Sequence, residues 1–283
     1  MNAVTYPQDN PHLWFTQLRA IIGIELGRVL FTSRATAIYV VAAVPIILLT
    51  TVGYIDNPRT GGPITGNIAN ARYAFAVIYA GFLLGTMVFL GSASLFISLF
   101  RGEILDRSLH YYLLSPVRRE ILAAGKYLAG LIASIGLFGT VTLVCYLLLY
   151  LPYGVSQMMS DFSSGPAARE LTLYLLTTVF ACIGYGAVFL LLGLFFRNPI
   201  FPILVLIGWE LMHFILPPAL KMISVVHYLK GIMPPQPWRG PIAVVMASPP
   251  AAVCMLALTG LTAVALILTV LRLKRIELRY TDS

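Results

Sequence analysis

Long apolar runs alternate with short polar connections along the whole chain. Six runs stand out, at about residues 36–55, 73–100, 121–151, 171–196, 200–216 and 251–271. Each comes close to or exceeds the roughly 18 residues that a helix needs to cross about 30 Å of hydrocarbon. The ten-residue alternating strands of a membrane barrel are absent from the pattern. The hydrophobic pattern therefore predicts an all-α integral membrane protein, with six transmembrane helices in a single transmembrane domain over residues 1–283. The third run is long enough to project beyond a bilayer, and a tight Arg197-Asn198-Pro199 turn separates the fourth from the fifth.

The polar connections predict three further elements. In residues 12–33, HLWFTQLRAIIGIELGRVLFTS, the side chains Trp14, Leu18, Ile21, Ile22, Leu26 and Val29 recur at helical spacing. This is the stripe of an N-terminal interfacial helix with Trp14 at the membrane boundary; the alternative is a cytoplasmic extension of the first span. Residues 102–116 read as a short amphipathic helix. Glu103, Asp106, Arg107 and His110 share one face, while Leu105, Leu109, Tyr112 and Leu113 share another. Glu103 and Arg107 are spaced for an i, i+4 pair of about 0.2–0.5 kcal/mol, and Ser115-Pro116 stops the helix. Between the fifth and sixth runs, residues 217–249 hold a semi-apolar stretch too short to cross. It is bracketed by Pro217-Pro218 and Pro234-Pro235, which predicts a re-entrant extracellular segment.

Composition strengthens this picture: 59% of the 283 residues are hydrophobic and 11% are charged. The net charge of +8 could indicate a nucleic-acid partner, but in a membrane protein it reports topology, because cytoplasmic loops collect Lys and Arg. With the N-terminus inside, thirteen Lys and Arg fall on the cytoplasmic side, Lys126 among them, and six fall outside. Both termini are therefore expected in the cytoplasm of a multi-pass inner or plasma-membrane protein, with residues 102–116 on the same side. No nucleic acid is expected to bind. The N-terminal sequence lacks the basic start and apolar run of a signal peptide.

Candidate chemistry is sparse. Cys145, Cys182 and Cys254 lie in three separate apolar runs without metal-ligand spacing, and read as small buried hydrophobes. The phosphate-cradling pattern G-x-x-x-x-G-K-[ST] is missing. Its nearest approach, AAGKY at 123–127, lacks the first glycine and has Tyr127 at the hydroxyl position. ATP hydrolysis by this chain alone is not expected. Glu210 and His213 share a helical face at membrane depth, where ionisable groups mark functional paths by default. They either satisfy each other, sit near the outer interface, or line a substrate path. The two further carboxylates and second Glu-x-x-His of a di-iron bundle are absent, so no metal is expected. Glycines at 125, 130, 136, 139, 184, 186 and 193 are read as places of close helix packing.

The stretch GEILDRSLHYYLLSPVRREILAAGKYLAG resembles the segment between spans two and three of ABC-2-type permeases. Glu103, Asp106-Arg107, Ser108-Leu109, Tyr112-Leu113, Pro116, Arg119, Gly125 and Lys126 follow that family's pattern in order. His110 and Tyr111 are less typical, and Gly102 stands where a second acidic residue is often found. The resemblance implies a coupling helix at 102–116. Glu103, Asp106, Arg107, Tyr111, Tyr112, Leu113 and Pro116 would contact a separate ATP-binding cassette ATPase subunit, which binds ATP and magnesium. It also implies a second permease copy as partner, either a homodimer or a heterodimer, and export of a substrate that the apolar spans do not identify. Two other functions fit the same residues: an ATPase-linked membrane subunit acting in maturation or assembly of another protein, and a membrane enzyme centred on Glu210 and His213.

Overall fold

A computed structural model describes residues 11–31, 33–55, 67–105, 118–196, 198, 200–211, 222–234 and 249–274. Among the described residues all regular structure is helical. The helices are α1 (Pro11–Phe31), α2 (Ser33–Ile55), α3 (Ile68–Ile78), α4 (Phe89–Leu105), α5 (Arg119–Leu148), α6 (Val155–Ser163), α7 (Ala167–Phe195), α8 (Ile200–Leu211), α9 (Val225–Ile232) and α10 (Ala251–Lys274). Four stretches are long and apolar enough to cross a membrane: Ile68–Phe100, Arg119–Leu148, Ala167–Phe195 and Ala251–Lys274. Two shorter apolar stretches, Ile38–Thr51 and Ile200–Glu210, lie within α2 and α8. The protein is thus an all-α protein with the helices of a membrane protein.

Local chemistry sets several boundaries. The Asn67 side chain accepts from the Ala69 amide at 3.0 Å and caps α3. Ser224 caps α9 through the His227 amide at 3.3 Å. Gly154, at φ +84°, makes the turn into α6, a conformation that only glycine adopts freely. Between α3 and α4 the chain continues as a π-helix, Tyr79–Val88, which the apolar pattern does not reveal. Its wider turns carry Gly81 and Gly85, and the Thr86 hydroxyl donates to the Gly81 carbonyl five residues back at 3.3 Å. π-helical turns are rare and usually need tertiary support. Here Tyr79, Leu83, Met87 and Val88 are fully buried.

α7 is the central helix, packed against α4, α5, α9 and α10. Small residues let the backbones approach. A Cβ on Gly186 would stand 2.5 Å from Phe96 Cζ, and one on Gly130 would stand 2.8 Å from the same ring. Phe96 is therefore clasped between α5 and α7. Gly184 admits Val225 of α9 and Leu258 of α10. Gly136 and Gly139, by contrast, face open space rather than a neighbouring helix. The three cysteines are free and buried.

The directions of the helices follow from what meets at each end. Arg119, at the start of α5, donates to the carbonyls of Leu273 and Lys274 at the end of α10. Arg272 lies 5.0 Å over the Phe195 ring at the end of α7. At the opposite end, Tyr146 near the end of α5 donates to the Ala167 carbonyl at the start of α7. Thus α5 runs antiparallel to α7 and α10.

Candidate functional site

Of the residues at 102–116, Glu103 lies in α4, and the described helix ends at Leu105. Asp106, Arg107, Tyr111, Tyr112, Leu113 and Pro116 lie outside the described residues, so the predicted helix and its two faces do too. What the structure describes is the frame from which this segment hangs. The frame is built by the last two residues of the resembling pattern, Gly125 and Lys126.

Gly125 lies where α1 crosses α5. A Cβ there would stand 2.7 Å from Ile21 Cγ2, so glycine is the residue that lets α1 close. One turn further along α1, Glu25 accepts from the Lys126 ammonium. Lys126 is fully buried and Glu25 is 2% exposed. The ammonium also donates to the Leu99 carbonyl of α4 at 3.0 Å and lies 5.4 Å from the Phe100 ring. A single side chain therefore ties α1, α4 and α5 together about two helical turns inside the ends of the 106–117 connection. In a low-dielectric interior such a pair is held by its geometry and its extra hydrogen bonds, because both charges have lost their hydration.

These contacts also place α1. Trp14 meets Arg118, Ile21 meets Gly125, and Glu25 meets Lys126. α1 therefore runs alongside the first half of α5 in the same sense. Within the stripe, Ile21 packs on α5 while Trp14 stays partly exposed, and Glu25 sits buried one turn beyond Ile21. Lys126 was counted among the loop cations in the sequence, but it is inside the bundle. Leaving it out preserves the sign of the charge bias.

Glu210 has a defined role in the geometry. Its carboxylate accepts from the Ser224 hydroxyl at 2.5 Å and from the Val225 amide at 3.1 Å. It thereby caps the N-terminus of α9, whose unpaired amides carry partial positive charge. Val225 packs on Gly184, well inside α7, so this helix start lies deep among apolar helices where water does not supply partners. α9 supplies the one described helix of the predicted re-entrant segment; residues 212–221, with His213, and 235–248 lie outside the described residues. Glu210→Leu should lower stability by about 1–3 kcal/mol, because it strips a charged acceptor from buried donors, and Glu210→Gln should cost less. Comparing the two variants in a detergent-denaturation titration checks this.

At the far end of the bundle a second ionic cluster joins three elements. Arg72 of α3 donates to Asp161 of α6 at 2.6 Å and to the Tyr150 hydroxyl at 3.4 Å. Its Nε lies 3.7 Å from Glu170 of α7, an ion-pair distance without a hydrogen bond. Tyr146 donates to Glu170 at 3.0 Å. Beneath the cluster, Phe75, Tyr79, Tyr146 and Tyr174 form an aromatic group, in which Phe75 meets Tyr146 and Tyr174 edge-to-face. The Tyr79 hydroxyl donates to the Tyr174 carbonyl at 2.9 Å.

No family model and no curated protein matches this chain. The functional reading therefore rests on the residues themselves. Among the described residues no group of three His, Cys, Asp or Glu is gathered as a metal site would require. Sequence reasoning did not single out Glu25. Its signal was nevertheless present: Glu25 is the only acid in α1, and Lys126 is the only charge in α5 beyond its first turn. Arg19 and Arg28 share α1 with Glu25, so the sequence offers nearer partners, and only the fold says that Glu25 meets Lys126.

Proposed function

We propose that this chain is the six-span permease subunit of an ABC-2-type transporter. Two permease copies form the membrane pathway, and separate ATP-binding cassette subunits bind ATP and magnesium at the cytoplasmic end. Residues 102–116 act as the coupling helix, and the transported substrate is exported. The observation that carries this reading is the Glu103–Lys126 pattern together with the placement of its final Gly-Lys. Gly125 and Lys126 fasten α1, α4 and α5 about two helical turns from the connection that would touch the ATPase. A push on that connection reaches three helices at once, which is what coupling to a motor requires. ATP binding can bias the membrane part only by favouring one of its conformations over another.

Charge supports the orientation. Among the described side chains, the end that holds this connection carries Arg118, Arg119, Arg272 and Lys274 against Glu120, while the far end sets Arg72 and Arg169 against Asp161 and Glu170. The cationic end is the cytoplasmic one under the positive-inside rule. The enzyme alternative loses ground because both Glu210 oxygens are engaged in capping α9.

The test is affinity purification of the tagged full-length chain from its own cells. An ATPase chain with a Walker A loop should co-purify. Glu103→Lys and Arg107→Glu should each weaken its recovery about tenfold, the factor that 1.4 kcal/mol supplies. Absence of any such ATPase, or recovery undiminished in both variants, would sink the proposal.

A further inference from the structure

At the cationic end of the bundle, α1 and the start of α5 line a groove of about 570 Å³ open to the surroundings. That volume is within the range of about 300–1,000 Å³ typical of small-molecule clefts. Trp14, Phe15 and Leu18 form one wall and Ile121 the other, with Arg118 and Glu120 on the rim. Phe15 is 78% exposed, and Trp14 remains 37% exposed although it sits against Arg118.

Charge separates this groove from the other lipid-facing surfaces. The Arg118 guanidinium lies 4.6 Å over the Trp14 ring, so a cation is held over an aromatic wall. Glu120, the one acid on the rim, is matched by Lys274 at 2.5 Å. Arg19 is exposed one helical turn from Phe15 on α1. A second open groove, lined by Leu26, Ile46, Ile132 and Leu137, has no charged residue among the described residues of its walls.

We propose that the Trp14–Arg118 groove is a binding site for an anionic phospholipid. One acyl chain lies along Trp14, Phe15, Leu18 and Ile121, and the phosphate meets the Arg118 guanidinium. Three facts of chemistry select this occupant. Tryptophan and arginine together mark the level of lipid headgroups. A planar guanidinium matches phosphate oxygens with two parallel N–H donors. The local excess of cations attracts a lipid with net negative charge over a zwitterionic one. The inference does not depend on the transporter reading.

The experiment uses the full chain with Trp14 as sole tryptophan, made by Trp209→Phe and Trp238→Phe, since the sequence has three. It is reconstituted in phosphatidylcholine vesicles that contain a small fraction of either brominated phosphatidylglycerol or brominated phosphatidylcholine. At equal mole fraction, brominated phosphatidylglycerol should quench Trp14 fluorescence with about fivefold higher apparent affinity, the factor that one basic side chain near an anionic surface supplies. Arg118→Gln should abolish the preference. Arg118 is the N-cap residue of α5, and its side chain makes no cap hydrogen bond. Glu120→Gln should leave the preference intact or raise it. Native mass spectrometry of the unmodified protein with short-chain versions of the two lipids gives an independent reading, with the phosphatidylglycerol adduct expected to dominate. Equal quenching and equal adducts for the two lipids would overturn the proposal. A preference that survives Arg118→Gln, or one that Glu120→Gln removes, would overturn it as well.

Discussion

Replacing Lys126 with methionine should lower the stability of the folded protein by about 3–5 kcal/mol, the cost of stranding one member of a buried ion pair. Lys126 is fully buried, and its loss leaves the Glu25 carboxylate, 2% exposed, without its cation. It also leaves the Leu99 carbonyl without a donor. The decisive comparison is with the double variant Glu25→Leu with Lys126→Met. Removing both charges and filling their space should recover most of the loss, because the pair's attraction only offsets its desolvation. SDS titration followed by circular dichroism measures both. If Lys126→Met proves as stable as the parent, the pair does not hold α1 in place. If the double variant is as damaged as the single one, the cost lies in packing rather than in charge.

The second large effect is expected at the opposite end. Arg72→Met should cost about 1.5–3 kcal/mol, the range for hydrogen bonds to charged groups. The side chain is 17% exposed and its carboxylate partner Asp161 is 15% exposed, so water screens part of the loss and the lower half of that range is expected. The structural consequence should be local. α6 has no buried residues of its own, and it is held by Arg72–Asp161 and by the ring contacts of Phe162 with Tyr146 and Tyr150. Hydrogen exchange should therefore quicken in α6 while α5 and α7 stay protected. Arg72→Lys, which keeps the charge but not the fork of donors, should fall between. Uniform loss of protection across the bundle would mean that Arg72 supports the whole core instead.

The legible and illegible features differ in the range over which their causes act. The four long apolar helices were visible because burial in lipid demands an uninterrupted run of apolar side chains, which is a local property. The helical stripe from Trp14 to Val29 was legible for the same reason, and so was the short helix bracketed by Pro217-Pro218 and Pro234-Pro235. The π-helix at Tyr79–Val88 was not, since its apolar composition suits an α-helix equally well and its wider turns rest on neighbours. Glu210 was legible as a buried acid, but its partner was sought three residues away at His213. The Ser224 and Val225 donors come from a separate element, which folds back between α7 and α10.

By itself the sequence determined an all-helical membrane protein, the apolar length of its helices, the cationic bias of one side, and a charged connection between two spans that resembles a coupling segment. Each follows from hydrophobicity, helix periodicity and charge counting, which depend on residues near one another in the chain. The tertiary structure alone decided that α1 lies along α5 rather than standing apart from it. It also decided that Glu25 and Lys126 are a buried pair, that Glu210 caps α9, and that Arg118 and Trp14 frame an open groove. A lone charge in an apolar helix must be compensated, but the nearest compensating group in space is set by helix packing, and no spacing along the chain encodes it.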